Sequence, residues 1–161
     1  MSIFDTNYKE CTKGLSKQHL NELKWFNEYK GSSIPHSSIK NRKFANVPKG
    51  IYSQKSKNIV LAVASVIKSR YESKESKIFR NNEGGWYFEY APEEHKSGME
   101  FHTNKKLLNN SHKKIPIGLI YQVKEKPSLY EVVGTGLVRY QEDINMFQIY
   151  GFNDDGSMRF L

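Results

Sequence analysis

The chain is poor in the residues that small enzymes and secreted domains depend on. It has one cysteine, Cys11, which excludes an internal disulfide framework and a cysteine-ligated zinc site. No apolar run approaches the ~20 residues that a membrane span needs. The opening "MSIFDTNYKECTKG" has no apolar core. No signal peptide is therefore expected, and the cytoplasm is the default location. Aspartate is scarce: Asp5, Asp143, Asp154 and Asp155 are the only four, so a hydrolase would have few carboxylates to work with. There is no P-loop, no GxGxxG between a strand and a helix, and no GxSxG. The five histidines, His19, His36, His95, His102 and His112, are scattered through polar stretches.

Two nuclease-like fragments fail on chemistry. "ESK" occurs at 72–74 and again at 75–77, the acid-x-lysine half of a metal-dependent site. Such a site also needs an upstream acid to hold the divalent ion, and Asp5 is the only aspartate before it. A small nuclease built on Glu72 and Lys74 is the alternative from another function class. His102, Asn104, Asn109 and His112 lack the spacing that would converge two ligands and a base. No cofactor, metal site or catalytic residue is expected, and the balance favours binding over catalysis.

What the sequence does have is positive charge and aromatic rings. The formal net charge is +8 over 161 residues, and aromatics make up 13%. Residues 1–57 carry 11 Lys/Arg against 4 Asp/Glu, and residues 58–161 carry 14 against 13. This asymmetry favours a polyanionic partner, nucleic acid before membrane. The lysines are dispersed rather than set on one amphipathic helix, which argues against a membrane-surface element.

The periodicity predicts one helix near the start and strands after residue 51. "LSKQHLNELKWFNEYK" (15–30) has Ser16 as a cap, Leu20, Leu23 and Phe26 on one side, and Gly31 beyond its end. Residues 31–50, with two prolines and a basic cluster at Lys40, Arg42 and Lys43, read as a long loop. "NIVLAVASVI" (58–67) is rich in β-branched residues and reads as a buried strand. Further strands are expected at "GWYFEY" (85–90) and "NMFQIYGF" (145–152), with a hairpin over 115–143 turning at Glu125–Ser128. "HTNKKLLNNSH" (102–112) reads as one or two helical turns. Gly134 and Gly136, two apart in a strand, mark a bend or the close approach of another backbone. The expected fold is α+β: a small curved, barrel-like β sheet with one or two helices and an N-terminal helix.

"EGGWYFEYAP" (83–92) breaks the alternation of a half-buried strand. Trp86, Phe88 and Tyr90 share one face, while Tyr87 and Glu89 share the other. Rings on both faces mean either a core on two sides or one face on which something stacks. A nucleobase stacked on an aromatic gains ~1–3 kcal/mol. Trp86, Tyr87, Phe88, Tyr90, Tyr71 and Tyr121 are candidate walls, and Asn104, Gln122, Ser65 and Glu89 are candidate contacts to a base edge.

The order of these segments resembles the SRA-like modules of bacterial modification-dependent restriction endonucleases. These are members of the PUA-like superfamily, often fused to HNH nucleases. The resemblance lies in Gly50 and Ile51; in Trp86, Phe88 and Tyr90; in Asn104, Lys105 and Leu107; and in Ile115, Pro116 and Gly118. It continues through Tyr130, Val133, Gly134, Gly136 and Val138 to Tyr150 and Gly151. It spans roughly residues 49–151. Phe88 stands where the family pattern has tyrosine. The resemblance implies a PUA/SRA-like barrel over 49–161, preceded by a helix and basic loop over 1–48. It implies binding of double-stranded DNA and flipping of a 5-methyl or 5-hydroxymethyl cytosine into an aromatic pocket. That pocket is expected at Tyr71, Trp86, Tyr90, Asn104, Tyr121 and Gln122, with Phe88 in the core and Trp86 and Tyr90 nearer the rim. Lys40, Arg42, Lys43, Lys49, Lys55, Lys57 and Lys105 are expected to hold phosphates. A fused or partner nuclease domain is implied, with no catalysis in this chain. A reader of unmodified DNA or an RNA-binding PUA-like domain are alternatives.

Overall fold

A computed structural model describes residues 3–35, 51–53, 58–65, 78–124 and 127–158. The architecture is α+β, with an eight-stranded sheet and few helices. A short helix α1 (Tyr8–Cys11) precedes α2 (Lys17–Glu28), and α3 (His102–Lys113) lies between strands. The strands are β1 (Ser33–Pro35), β2 (Ile51–Ser53), β3 (Val60–Ser65), β4 (Phe79–Arg80), β5 (Trp86–Tyr90), β6 (Ile117–Lys124), β7 (Leu129–Gln141) and β8 (Met146–Gly151).

The sheet runs β2-β3-β6-β7-β8-β5-β4, with β1 paired to β7 off this path. The expected barrel is instead a curved sheet that is open among the described residues, with β2 and β4 at its edges. Only β3 and β6 pair in parallel; the other pairs are antiparallel. The thirteen-residue β7 joins the two halves. Its first part lies between β6 and β1, and its second part pairs with β8. Register shifts at Leu119/Ile120 and Gln122/Lys124 bend the β6–β7 pair.

The sheet wraps a main core on one face. Trp86, Phe88 and Tyr90 from β5 meet Ile117 and Leu119 from β6, Leu107 from α3, and Phe147 and Ile149 from β8. The opposite face of β6 packs on α2, where Phe26, Ala62, Ile120 and Val132 form a second cluster. Gly118 makes that contact possible: a Cβ there would sit 2.3 Å from the Phe26 ring. The N-terminal segment closes a third cluster of Ile3, Leu137, Tyr150, Phe152 and Met158. It is tied to the C-terminal loop by Tyr8 N–H donating to Gly156 O at 2.8 Å.

Gly136 meets the backbone closely, as expected of its strand: a Cβ would lie 2.6 Å from Tyr150 O. Gly134, at φ +137°, takes a conformation that side chains disfavour, beside Trp86 Nε1 and the Lys30 stem. Trp86 is fully buried, and a Cβ at Gly151 would fall 2.1 Å from its Nε1.

Helix α2 starts as predicted, with Ser16 Oγ accepting from His19 N–H at 3.1 Å. Its buried face differs, because His19, Leu23 and Phe26 are inside while Leu20 is exposed. His19 takes that place through a hydrogen bond from Nε2 to Pro116 O at 2.8 Å. The carbonyl can only accept, so Nε2 carries a proton. Burial pushes its pKa down, against the opposing pull of the Pro116 carbonyl and the Glu22 charge. The predicted loop 31–50 contains β1, whose Ser33 and Ile34 pair with Glu131 and Tyr130. The predicted one or two turns at 102–112 are a twelve-residue helix. The 48/49 division falls outside the described residues, as does the turn at Glu125 and Lys126. No helix among the described residues is long and apolar enough to cross a membrane.

Two tests follow from this packing. Gly151→Ala should cost ~1–3 kcal/mol by overpacking, lowering Tm by roughly 2–4 °C per kcal/mol. Combined with Trp86→Phe, which withdraws the clashing ring edge, the two losses should sum to less than their separate values in thermal melts. For His19, the native pKa lies below the unfolded value, so the unfolded chain binds more protons in the window between them. Stability is then complete above about pH 6.5 and falls as pH drops below it, levelling off beneath the depressed native value. Urea melts between pH 7.5 and 5 should show this slope, and His19→Gln, which keeps a donor for Pro116 O, should flatten it.

Candidate nucleic-acid interface

Strands β3 and β6 run parallel, with Ser65, the last residue of β3, opposite Tyr121, and β6 continues to Lys124. Side chains alternate along β6, so Ile117, Leu119 and Tyr121 face the main core while Gly118, Ile120 and Gln122 face away. Tyr121 is partly buried, and its ring meets Phe88 edge-on at 5.7 Å and 80°. Ser65, Tyr121 and Phe88, the middle residue of β5, therefore gather at one place, with Tyr90 in the same core.

The expected division among the β5 rings does not match their packing. Trp86, Phe88 and Tyr90 are 0%, 0% and 3% exposed, and all three belong to the main core. Trp86 is at the opposite end of β5 from Tyr121, wedged against Gly134 and Gly151. The physical reason is the bend in β7: its glycines bring β8 close, and the indole fills the notch. The rings of the other face also have partners. Tyr87 stacks at a tilt on Tyr150, with centroids 4.9 Å apart, and its hydroxyl donates to Glu89 Oε2 at 3.1 Å. Burial and the Glu89 charge push its phenol pKa upward.

Gln122 does not share a wall with Tyr121. It faces the other side of β6, and its Nε2 donates to Ser128 Oγ at 3.3 Å. Asn104 is 1% exposed and engaged as a clamp. Its Oδ1 accepts from Glu93 N–H at 2.7 Å, and its Nδ2 donates to Glu93 O at 2.8 Å and Gly98 O at 3.0 Å. Both amide protons are thus used in holding the loop after β5 to α3.

That loop carries groups the sequence reading passed over. Glu93 is buried, and Thr103 Oγ1 donates to its Oε2 at 2.6 Å. A cavity of about 280 Å³ opens beside it, lined by Glu93, His95, Met99, Asn104 and Asn145. The His95 ring stacks on Phe101 at 4.0 Å. Asn110, fully buried, accepts from Val60 N–H at 2.6 Å and donates to Val60 O at 2.9 Å. The signal for these residues was present in helical spacing: Thr103, Leu107 and Asn110 fall on one face of α3. Polar residues on a buried helix face must find partners in the backbone.

Lys105 is exposed and pairs with Glu100 at 3.1 Å. An exposed pair of this kind is worth ~0.2–1 kcal/mol and leaves the lysine open to exchange its partner for a phosphate. Tyr71, Lys40, Arg42, Lys43, Lys49, Lys55 and Lys57 lie outside the described residues, as do Glu72 and Lys74. Among the described residues, no three His, Cys, Asp or Glu side chains cluster as metal ligands would.

No family model matches the chain, and no curated protein does. Two solved structures are similar in outline. One is KRYPTONITE in complex with mCHH DNA, an H3(1–15) peptide and SAH, with a TM-score of 0.48, 10% identity, and coverage of 92% of this chain and 40% of that one. The other is the SUVH5 SRA complex with hemimethylated CG DNA, with a TM-score of 0.44, 14% identity, and coverage of 82% of this chain and 92% of that one. The chain thus spans two fifths of the KRYPTONITE chain that it matches, 40% by length.

Proposed function

We propose that this chain binds duplex DNA and reads a modified cytosine, 5-methyl or 5-hydroxymethyl, as the recognition module of a restriction system. The observation that carries the reading is Tyr121. Among the described pocket candidates it alone is not buried, set edge-on to Phe88 beside Ser65 at the end of β3. A base extruded from the duplex would stack against it, with Phe88 and Tyr90 as a fixed wall behind. A methyl group buried there gains only ~0.8 kcal/mol, so contacts to the cytosine edge must supply the rest of the selectivity.

Charge supports the same partner. The net +8, concentrated in residues 1–57, suits a polyphosphate. Lys40, Arg42, Lys43, Lys49, Lys55 and Lys57, with Lys105 on α3, would hold the backbone without reading sequence. Cleavage would fall to a fused or partner nuclease domain.

The test is a titration of matched unmodified, 5-methyl and 5-hydroxymethyl cytosine duplexes at two salt concentrations. Binding should weaken steeply with salt and be tighter for a modified duplex. Tyr121→Ala should weaken binding of the preferred duplex about tenfold, from the loss of one stacked base, while circular dichroism shows an unchanged fold. Equal affinity for all three duplexes across varied sequences would sink the modification reading. Mg²⁺-dependent nicking of plasmid by the chain alone would favour the Glu72–Lys74 nuclease instead.

A further inference from the structure

A second polar cleft lies at the other end of β5, around Lys30. Lys30 follows the last turn of α2, and its Nζ is held in three directions. It donates to Gly84 O, to Phe152 O at 3.4 Å, and to Asp154 Oδ1 at 3.0 Å. Two of these acceptors are backbone carbonyls in separate loops, so the ammonium is fixed in place. The third is a carboxylate whose side chain is 74% exposed, against 23% for the lysine. The cation is therefore anchored from behind and covered in front by a counter-ion that solvent can replace.

A cavity opens on each side of this ion pair, and Asn27, Lys30 and Asp154 line both. The first, about 220 Å³, is walled by Tyr8 and Phe152, whose rings meet edge-to-face at 5.4 Å. Amide and hydroxyl groups complete it: Asn27 Oδ1 accepts from Thr135 Oγ1 at 2.8 Å, and Asn153 stands opposite. The second, about 420 Å³, is lined by Arg80, Asn81 and the Gly84–Gly85 turn. Gly84 has φ +90°, and a Cβ there would lie 2.2 Å from the Asp154 carboxylate. The Asp154 carboxylate thus lies directly over the Gly84 backbone, in the place that an exchanged anion would take, while the Gly85 N–H is held by Asn81 Oδ1 at 2.8 Å.

We propose that this cleft binds a nucleoside monophosphate. The base enters the Tyr8–Phe152 lobe, where an aromatic wall and the exposed Asn27 amide suit a planar ring with a polar edge; the Asn153 amide is held by Asn81 and Ser157 and serves as wall. The phosphate lies in the Arg80–Gly84 lobe and takes the place of Asp154 on Lys30 Nζ. Arg80 is close by, although it is also engaged with Glu131. Free nucleotides and nucleotides within a single strand share this chemistry. The cleft is separate from the Tyr121 end of the sheet, so it stands or falls independently of the modified-cytosine reading.

The experiment is a titration of the full chain with dCMP, inorganic phosphate and a five-residue single-stranded oligonucleotide, followed through the amide resonances of Gly84 and Gly85. Asp154→Asn removes the competing carboxylate from an exposed position and should strengthen dCMP binding about two- to fivefold. Lys30→Met should weaken it by about tenfold. Tyr8→Leu should weaken dCMP but leave inorganic phosphate unchanged, because Tyr8 lines only the base lobe. A free-nucleotide site gives dCMP at least the affinity of the oligonucleotide, and a strand site gives the reverse; either supports the cleft if the Lys30 and Asp154 dependence holds. The proposal is overturned if dCMP and the oligonucleotide both leave Gly84 and Gly85 unshifted at millimolar concentration. It is also overturned if Asp154→Asn, which can be made without loss of the fold, fails to tighten binding.

Discussion

The fit of one indole into a notch of glycines organises this molecule. Trp86 opens β5, and its ring edge occupies the space where Gly151 and Gly134 have no side chains. Gly136 lets the backbone of β8 approach β7 to the limit of contact. Without these absences β8 would stand off, β5 would lose its neighbour, and the core lined by Phe88, Phe147 and Ile149 would open. Interiors are packed as tightly as organic crystals, so the contact tolerates little adjustment. The buried Trp86 Nε1 has no hydrogen-bond partner among the described residues, a cost accepted for shape.

Asparagines play a second structural role around α3. Asn104 and Asn110 each present a side-chain amide to a stretch of backbone that lacks its sheet partner there: the loop after β5 for Asn104, the start of β3 for Asn110. A side-chain amide offers both a donor and an acceptor, as a peptide does. These bonds pin the helix to the loop after β5 at one point and to the start of β3 at another, and they turn Asn104 inward while Lys105 faces solvent.

The strands, the α2 cap and the glycine pair in β7 were legible because each rests on a local rule. β-branched runs form strands, Ser16 satisfies a helix end, and paired glycines mark a close approach. What sequence could not supply was side. Tyr121 and Gln122 are adjacent and so point to opposite faces of a strand, but only the packing of β6 shows that Tyr121 takes the face toward β5. Likewise Trp86, Phe88 and Tyr90 were correctly placed on one face, but which way that face turned depended on β7 and α3, far off in the chain. Strand β1 was hidden because three residues among serines and proline carry no periodicity, and pairing with Glu131, Tyr130 and Leu129 alone makes them a strand. Lys30 gave no signal at all, because its three partners come from residues more than fifty positions away.

Strand β5 sets the distance between the two polar regions. Lys30 contacts Gly84, two residues before the strand, and Tyr121 meets Phe88 at its middle. Four residue steps, from Gly84 to Phe88, at ~3.3 Å each separate these points by about 13 Å. Along a duplex that is roughly four nucleotide steps at ~3.4 Å each. The strand between them is rigid, with both faces packed and Trp86 locked at one end. Two nucleotides bound at its ends would be held at a fixed separation, and one extruded at Tyr121 would not reach Lys30.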